Sequence, residues 1–232
     1  MTTLSPAGIV LDFYGTVVVD DDAAVAAVSA AVADLAADST EPASVVALWW
    51  QHFERSCTAA RGPDFRRMSE LATNALARTL DDLSVIADAE WLAGPMLAYW
   101  RAPEAFADAG AFLDECPLPI CLLSDVDRAD LEAAVDSTGV AVPLAVSSED
   151  VQAYKPAPDG FRAAAEILDL PFDRLWHVGD SLTSDIAGAN ALGITSVWIN
   201  RQRRARAVTE PAPSMEVADL LELLAMLEVA GG

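Results

Sequence analysis

Short apolar runs, each ending in a polar motif, recur along the chain at residues 8–11, 120–123, 144–146, 175–178 and 196–199. Runs this short and this apolar suit strands covered on both faces, and they predict buried parallel strands. Between most of them lie Ala- and Leu-rich stretches with helical spacing, at residues 129–135, 160–168 and 186–192. Strand and helix alternating in this way predict a doubly wound α/β sheet. The rhythm breaks after the first run. Residues 23–36, 43–57, 65–80 and 89–100 are all helical in composition, separated by Ser39-Thr40-Glu41-Pro42, Arg61-Gly62-Pro63 and an acidic stretch at Asp81-Asp82. The expected layout is therefore a Rossmann-like core from residues 1–17 and 102–232, with a helical cap from residues 18–101 seated over the sheet. No internal repeat is visible, and the Ala/Val/Asp bias of residues 23–38 keeps a helical pattern, which argues against disorder.

Composition narrows the partners. With 53% hydrophobic residues in 232, the chain can bury a sizeable core. The 36 acidic against 14 basic residues give a formal charge of -22, which repels nucleic acid and anionic membrane surfaces. A small anionic substrate remains compatible with a local basic pocket. Cys57, Cys116 and Cys121 are odd in number and lack metal-ligand spacing, so neither a disulfide framework nor a zinc site is expected. A cytoplasmic location fits this usage. No charged stretch followed by an apolar run opens the chain and no long apolar run follows, so neither secretion nor membrane spanning is expected.

In open parallel sheets ligands bind beyond the carboxyl ends of the strands, which directs attention to the residue after each apolar run. The first run ends Asp12-Phe13-Tyr14-Gly15-Thr16, a carboxylate followed by a glycine-bearing turn whose backbone N–H groups could hold a substrate's oxygens. Alone, this could equally be a strand stop. The second run ends Ser124-Asp125, where Ser124 is either a hydrogen-bond donor to a phosphoryl oxygen or a helix N-cap. Tyr154-Lys155-Pro156 places an ammonium before a helix start, to neutralise nucleophile and substrate or simply to be solvated. The fourth run ends His177-Val178-Gly179-Asp180, with Asp185 where the next helix begins. Carboxylates near Asp12 would suit Mg²⁺, although Asp185 could instead cap its helix, and His177 reads as a core residue.

Together, Asp12, Ser124, Lys155 and Asp180 with Asp185, in this order and at strand ends, resemble the four motifs of the haloacid dehalogenase superfamily. The resemblance runs from Asp12 to Val197-Trp198-Ile199-Asn200-Arg201. It implies Asp12 as a covalent nucleophile, Ser124 and Lys155 as catalytic partners, and Mg²⁺ held by Asp12, the Tyr14 carbonyl, Asp180 and Asp185. Gly15, Thr16 and Asp125 would then contact substrate, as would Trp50 and Arg61 from the cap. Trp49, Phe53, Arg66 and Arg67 are further cap candidates, while the arginine-rich run at residues 201–206 reads as a solvated loop.

Within the superfamily the chain looks similar to the L-2-haloacid dehalogenases, which also carry Tyr two residues after the nucleophile. Leu48-Trp49-Trp50-Gln51, Val151-Gln152-Ala153-Tyr154-Lys155-Pro156 and Trp198-Ile199-Asn200-Arg201 strengthen that likeness. Three departures oppose it. Trp50 stands where those enzymes have a halogen-binding Arg, Asp125 stands where they have Asn, and Gly179-Asp180 with Asp185 matches the magnesium-binding form of phosphatases. Asp12, Asp180 and Asp185 crowded without a cation would raise one another's pKa values. The expected activity is thus Mg²⁺-dependent hydrolysis of a small phosphorylated metabolite through an aspartyl phosphate. Metal-independent 2-haloacid dehalogenation and a catalytically weak binding protein are the alternatives, and the chain is expected as a monomer or homodimer. Tyr14, a poor base at neutral pH, occupies the place where phosphatases carry a general acid–base Asp.

Overall fold

The computed structural model describes residues 5–36, 39–140, 142 and 144–231. The last two residues of the compositionally biased stretch 23–38 lie outside them. Among the described residues, six strands form one parallel sheet: β1 (Gly8–Leu11), β2 (Ile120–Ser124), β3 (Ala145–Ser147), β4 (Leu175–Gly179), β5 (Thr195–Ile199) and β6 (Met215–Val217), in the order β3-β2-β1-β4-β5-β6. The α/β class expected from the apolar runs is the one observed.

Alternation along the strands divides the core between the two faces of the sheet. Ile9 and Leu11 of β1 join Leu122, Val178, Val197 and Phe112 on one side. Val10 joins Cys121, Leu123, Val146 and Phe161 on the other. The first face is covered by α5 (Ala109–Glu115), α6 (Arg128–Thr138) and α10 (Leu220–Gly231), and the second by α8 (Pro158–Leu168), which follows the single turn α7 (Ser148–Val151), and by α9 (Ala187–Leu192). Near-continuous apolar strands follow directly from burial on both faces.

The insertion after β1 is helical: α1 (Asp22–Leu35), α2 (Pro42–Ala59), α3 (Met68–Asp82) and α4 (Ala89–Arg101). These helices share a buried cluster of their own, including Val32, Val45, Trp49, Leu76 and Met96. Pro42 opens α2 at its first turn, where a missing N–H costs nothing, and Asp88 caps α4 by accepting from the Glu90 and Trp91 amides. The stretch expected to be helical from residue 65 starts later. Gly62–Asp64 forms a tight turn instead, and α3 begins at Met68.

Asp127, 5% exposed, explains that start. From the loop after β2 its carboxylate accepts from the Met68 amide at 2.7 Å and from the amide and hydroxyl of Ser69, capping α3 across the seam. Other ties cross the same seam. The Tyr154 hydroxyl donates to the Arg66 carbonyl at 2.7 Å, and Arg67 pairs with Glu149 at 2.7 Å. Two elements have no counterpart in the pattern along the chain. β6 is only three residues with one buried, and α10 follows it directly. Among the described residues, no helix is long and apolar enough to cross a membrane.

Candidate active site

The strand order reverses at β1, which is flanked by β2 on one side and β4 on the other. A crevice forms at such a point beyond the carboxyl ends. Register then decides which side chains meet there. Leu11 stands level with Leu122 of β2 and Val178 of β4, so Asp12, Ser124 and the Gly179-Asp180 turn emerge together at one end of the sheet. They line a cavity of about 1040 Å³, joined by Tyr14, Asp125, Lys155 and Asp185 and, from the helical insertion, by Trp50 and Arg61.

Lys155 sits at the middle of the charge pattern. Its Nζ donates to Asp12 Oδ1 at 2.5 Å and to Asp185 Oδ1 at 2.6 Å, with its side chain only 4% exposed. Burial works against its charge, but Asp12, Asp185 and Asp125 more than reverse this and hold the ammonium well above the usual lysine range. Its own amide donates to both carboxylate oxygens of Asp125 at 3.0 Å, so Asp125 positions the lysine's backbone. Burial pushes the Asp125 carboxyl up to about 7 against the pull of Lys155.

The remaining carboxylates differ sharply. Burial drives Asp185 upward, but Lys155 and His177, whose Nε2 lies 2.9 Å from Oδ1, outweigh it and hold the carboxyl well below its ordinary value. Asp185 also accepts from the Ser181 amide, while the cap of the following turn is Ser181 itself, through its hydroxyl and the Ser184 amide. Burial pushes Asp12 up to about 6, with Lys155 pulling it down and Asp185 pushing it up. Its Oδ2 is buried without a hydrogen-bond partner. Asp180 is raised well above the ordinary carboxylate value by burial, then by Asp12 and Asp185. Among the described residues, no hydrogen bond or ion pair reaches its carboxylate.

Two glycines make this crowding possible. Gly15 has φ +80°, and a Cβ there would stand 2.6 Å from the Asp180 carboxyl carbon. A Cβ on Gly179 would stand 2.3 Å from that of Asp185. Oxygens of Asp12, Asp180 and Asp185 consequently all lie within 4.8 Å of one another. Hard oxygen donors this close, with Asp180 in no ion pair among the described residues, fit a divalent ion such as Mg²⁺.

The turn after Asp12 departs from its expected use. The Gly15 amide donates to the Val18 carbonyl at 2.8 Å and the Thr16 amide to the Phe13 carbonyl at 3.3 Å, so both are spent inside the turn. Neither residue is among those lining the cavity, and Thr16 is wholly buried. Tyr14 lines the cavity, but its hydroxyl donates to the Trp100 carbonyl at the end of α4, and burial drives its pKa far above the phenol range. That phenol is no acid or base at neutral pH. Ser124 lines the cavity, while α6 is preceded by Asp127, so Ser124 is not its N-cap. His177 is a core residue, fully buried edge-on to Phe161 at 4.9 Å.

From the insertion, Trp49 is buried and donates to the Ala72 carbonyl at 3.0 Å, whereas its neighbour Trp50 faces the cavity. Arg61 lines the cavity but pairs with Asp159 at 2.7 Å, and Arg66 turns to the Phe65 carbonyl. The arginine run is not simply solvated. Arg201 donates to Asp108 and to the Thr16 carbonyl and lies 3.7 Å over Phe106, and Arg204 lines the cavity paired with Glu210 at 3.1 Å. Asp20, Glu54 and Arg55 also line it without having stood out in the sequence, since isolated charges on loops and helix faces carry no local signal.

A model of the haloacid dehalogenase-like hydrolases matches residues 6–193. The chain belongs to this hydrolase family. Its relatives point to both chemistries known from their names. N-acylneuraminate-9-phosphatase of Mus musculus is 36% identical over 75 residues, 32% of this chain and 30% of that protein. The (S)-2-haloacid dehalogenase of Pseudomonas putida is 28% identical over 119 residues, 50% of this chain and 52% of that enzyme. The chain thus spans about half or less of the length of these curated relatives. The solved structure of an L-2-haloacid dehalogenase shares the fold at TM-score 0.80 and 24% identity, covering 97% of this chain and 99% of that one.

Proposed function

We propose that this family member is a Mg²⁺-dependent phosphatase acting on a small phosphorylated metabolite. The observation that carries the reading is Asp180, a carboxylate packed within 4.8 Å of Asp12 and Asp185 that makes no ion pair among the described residues and that the nearby Lys155 does not keep from being raised well above its ordinary value. A chemistry without metal needs no third carboxylate beside the nucleophile, because it only raises the nucleophile's pKa. Asp12, Asp180 and Asp185, with the Tyr14 carbonyl, would hold the ion, which when bound supplies positive charge against the carboxylates and the substrate phosphate.

In this reading Lys155 fixes Asp12 through Oδ1 and leaves Oδ2 for attack. An oxygen of Asp12 bonds to phosphorus as the P–O bond to the alcohol breaks, and the alcohol leaves with a proton. Water then attacks the phosphorus of the aspartyl phosphate, releasing phosphate and the Asp12 carboxylate. Lys155 holds charge on the transferring group steady and Ser124 donates a hydrogen bond to it. With Tyr14 committed to Trp100, the proton for the alcohol comes from another group or from solvent. Turnover without a dedicated acid is expected to be slower by about 10²–10⁴-fold. The helices α1–α4 serve as the cap in this scheme.

The same commitment of Tyr14 is what favours the second reading, 2-haloacid dehalogenation, since a halide leaves without a proton. Against it, Trp50 stands in the place of the halogen-binding Arg, and Arg61, which lines the cavity from the insertion, is already paired with Asp159. A panel of phosphate monoesters and 2-haloacids, run with Mg²⁺ and with EDTA, separates the two. Phosphate release that EDTA and Asp180→Ala both suppress is the expected result. Chloride release that persists in EDTA would replace the phosphatase reading with the second one, and silence on every compound with retained anion binding would leave a binding protein.

A further inference from the structure

The roof of the cavity is one face of α2. Trp50, Phe53, Glu54, Cys57 and Thr58 all line it, at the three- and four-residue spacing that places side chains in a row. Trp50 is 57% exposed, and its ring lies 5.7 Å from that of Phe53 at 40°, so the two form a tilted aromatic shelf open on the cavity side. Trp49, one residue earlier, shows what α2 does with a tryptophan needed for packing: it is 4% exposed with its N–H satisfied. Trp50 is kept out of that core.

Size and charge add to this. About 1040 Å³ is at the upper end of pockets that hold drug-sized ligands, and a phosphate ion or a two- or three-carbon acid would leave most of it empty. Beside the shelf stand Glu54 and Arg55. Among the described residues neither side chain is in an ion pair, whereas Lys155, Arg61 and Arg204 are all paired with carboxylates. An acceptor and a donor flanking two aromatic faces suit a ring with polar edges.

We propose that the substrate is a phosphate monoester of nucleotide size whose alcohol part carries a planar nitrogen heteroaromatic ring, seated on Trp50 and Phe53 while the phosphate lies at Asp12. This rests on the phosphatase reading for the chemistry at Asp12, but the ring site stands on the roof alone. Ring stacking on an aromatic side chain is strong enough to change binding by about tenfold or more.

Adenosine and uridine 5′-monophosphates, compared with ribose 5-phosphate, test the proposal, because the three share the sugar and the leaving alcohol and differ in the ring. The nucleotides are expected to have kcat/KM about tenfold or more above ribose 5-phosphate, through KM. Trp50→Ala should cut the nucleotide values about tenfold more than the ribose 5-phosphate value. Binding of the same three compounds to Asp12→Asn protein, by calorimetry, reads the roof without turnover. If the nucleotides bind tighter in a Trp50-dependent way but none of the three is hydrolysed by the unmodified enzyme, the shelf stands and the phosphatase reading falls. Equal binding of nucleotides and ribose 5-phosphate, or equal loss of both in Trp50→Ala, overturns the shelf whatever the enzyme hydrolyses.

Discussion

On the floor of the cavity Lys155 is locked to Asp12 and Asp185 at 2.5 and 2.6 Å, whereas on its roof Trp50 stands 57% exposed and Arg55 carries no ion pair among the described residues. The floor is anchored by Asp12 at a strand end of a sheet whose register cannot slip without turning every side chain over, and Lys155 and Asp185 reach it from the turns before α8 and α9. The roof comes from a helix face, where a side chain can change and leave the backbone in place. On the proposed reading, chemistry is written where geometry is over-determined, and choice of substrate where it is not.

The largest effect should come from breaking the floor at Asp12, the nucleophile of the proposed reading. Asp12→Asn keeps the shape and removes the attacking charge, and kcat is expected to fall about 10⁴-fold or more with far-UV circular dichroism unchanged. Near-native turnover of any substrate would remove Asp12 from its role. Next comes Lys155→Ala, which strands two buried carboxylates. Urea unfolding should show a loss of about 3–5 kcal/mol, against at most a few tenths for Arg55→Ala on the roof. Equal losses at the two sites would erase the distinction between floor and roof.

At the seam between them, Asp127→Ala leaves the first amides of α3 unmet. A loss of about 1–3 kcal/mol is expected, with the chemical step less affected than stability. The smallest effect has the opposite sign. Asp180→Asn without metal should stabilise the protein by about 1–2 kcal/mol, roughly 2–8 °C in Tm, because it deletes a charge that its neighbours oppose.

Its pH dependence follows from the raised carboxyls. Asp12 and Asp125, at about 6 and 7, hold protons in the folded state at pH values where the unfolded chain, near 3.8, has lost them. Stability from these groups therefore falls as pH rises from about 4 to 7. Asp185, lowered on folding, contributes stability above its unfolded value, lost only as pH falls through the folded one, so it does not cancel this trend above about 4. Calorimetry in EDTA should show Tm dropping from pH 5 to pH 8, less steeply in Asp180→Asn, and Mg²⁺ should raise the wild-type Tm more at pH 8 than at pH 5. A metal effect independent of pH would contradict the coupling.

Much of this was legible in the chain. The apolar runs placed five strands to within a residue, because strands buried on both faces are mostly apolar, with His177 and Ser196 as the buried polar exceptions inside β4 and β5. Asp12, Ser124 and Asp180 were legible for the same reason, since each stands at the end of such a run, whereas Lys155 and Asp185 lie in the turns that follow β3 and β4. β6 was not, as Met215-Glu216-Val217 buries one side chain and pairs only at the sheet edge. Nor was the fate of the Gly15 and Thr16 amides, which depends on how the turn closes on Phe13 and Val18. The roof was half legible. The sequence offers adjacent tryptophans, and only the packing of α2 on α3 decides that Trp49 goes in and Trp50 stays out.

Asp127 lies three residues beyond Ser124 on the loop that also carries Asp125, and it grips the first turn of α3. For anyone altering the substrate range of this protein, helices α2 and α3 are consequently unequal ground. Changes on the cavity face of α2 should combine additively with changes on the sheet, since among the described residues no hydrogen bond or ion pair joins that face to the strand ends. Changes that shift the start of α3 pull on the loop behind Ser124, and their effects will not add, so a library built on α3 would select for repairs to the catalytic end of the sheet before it selected for a new substrate.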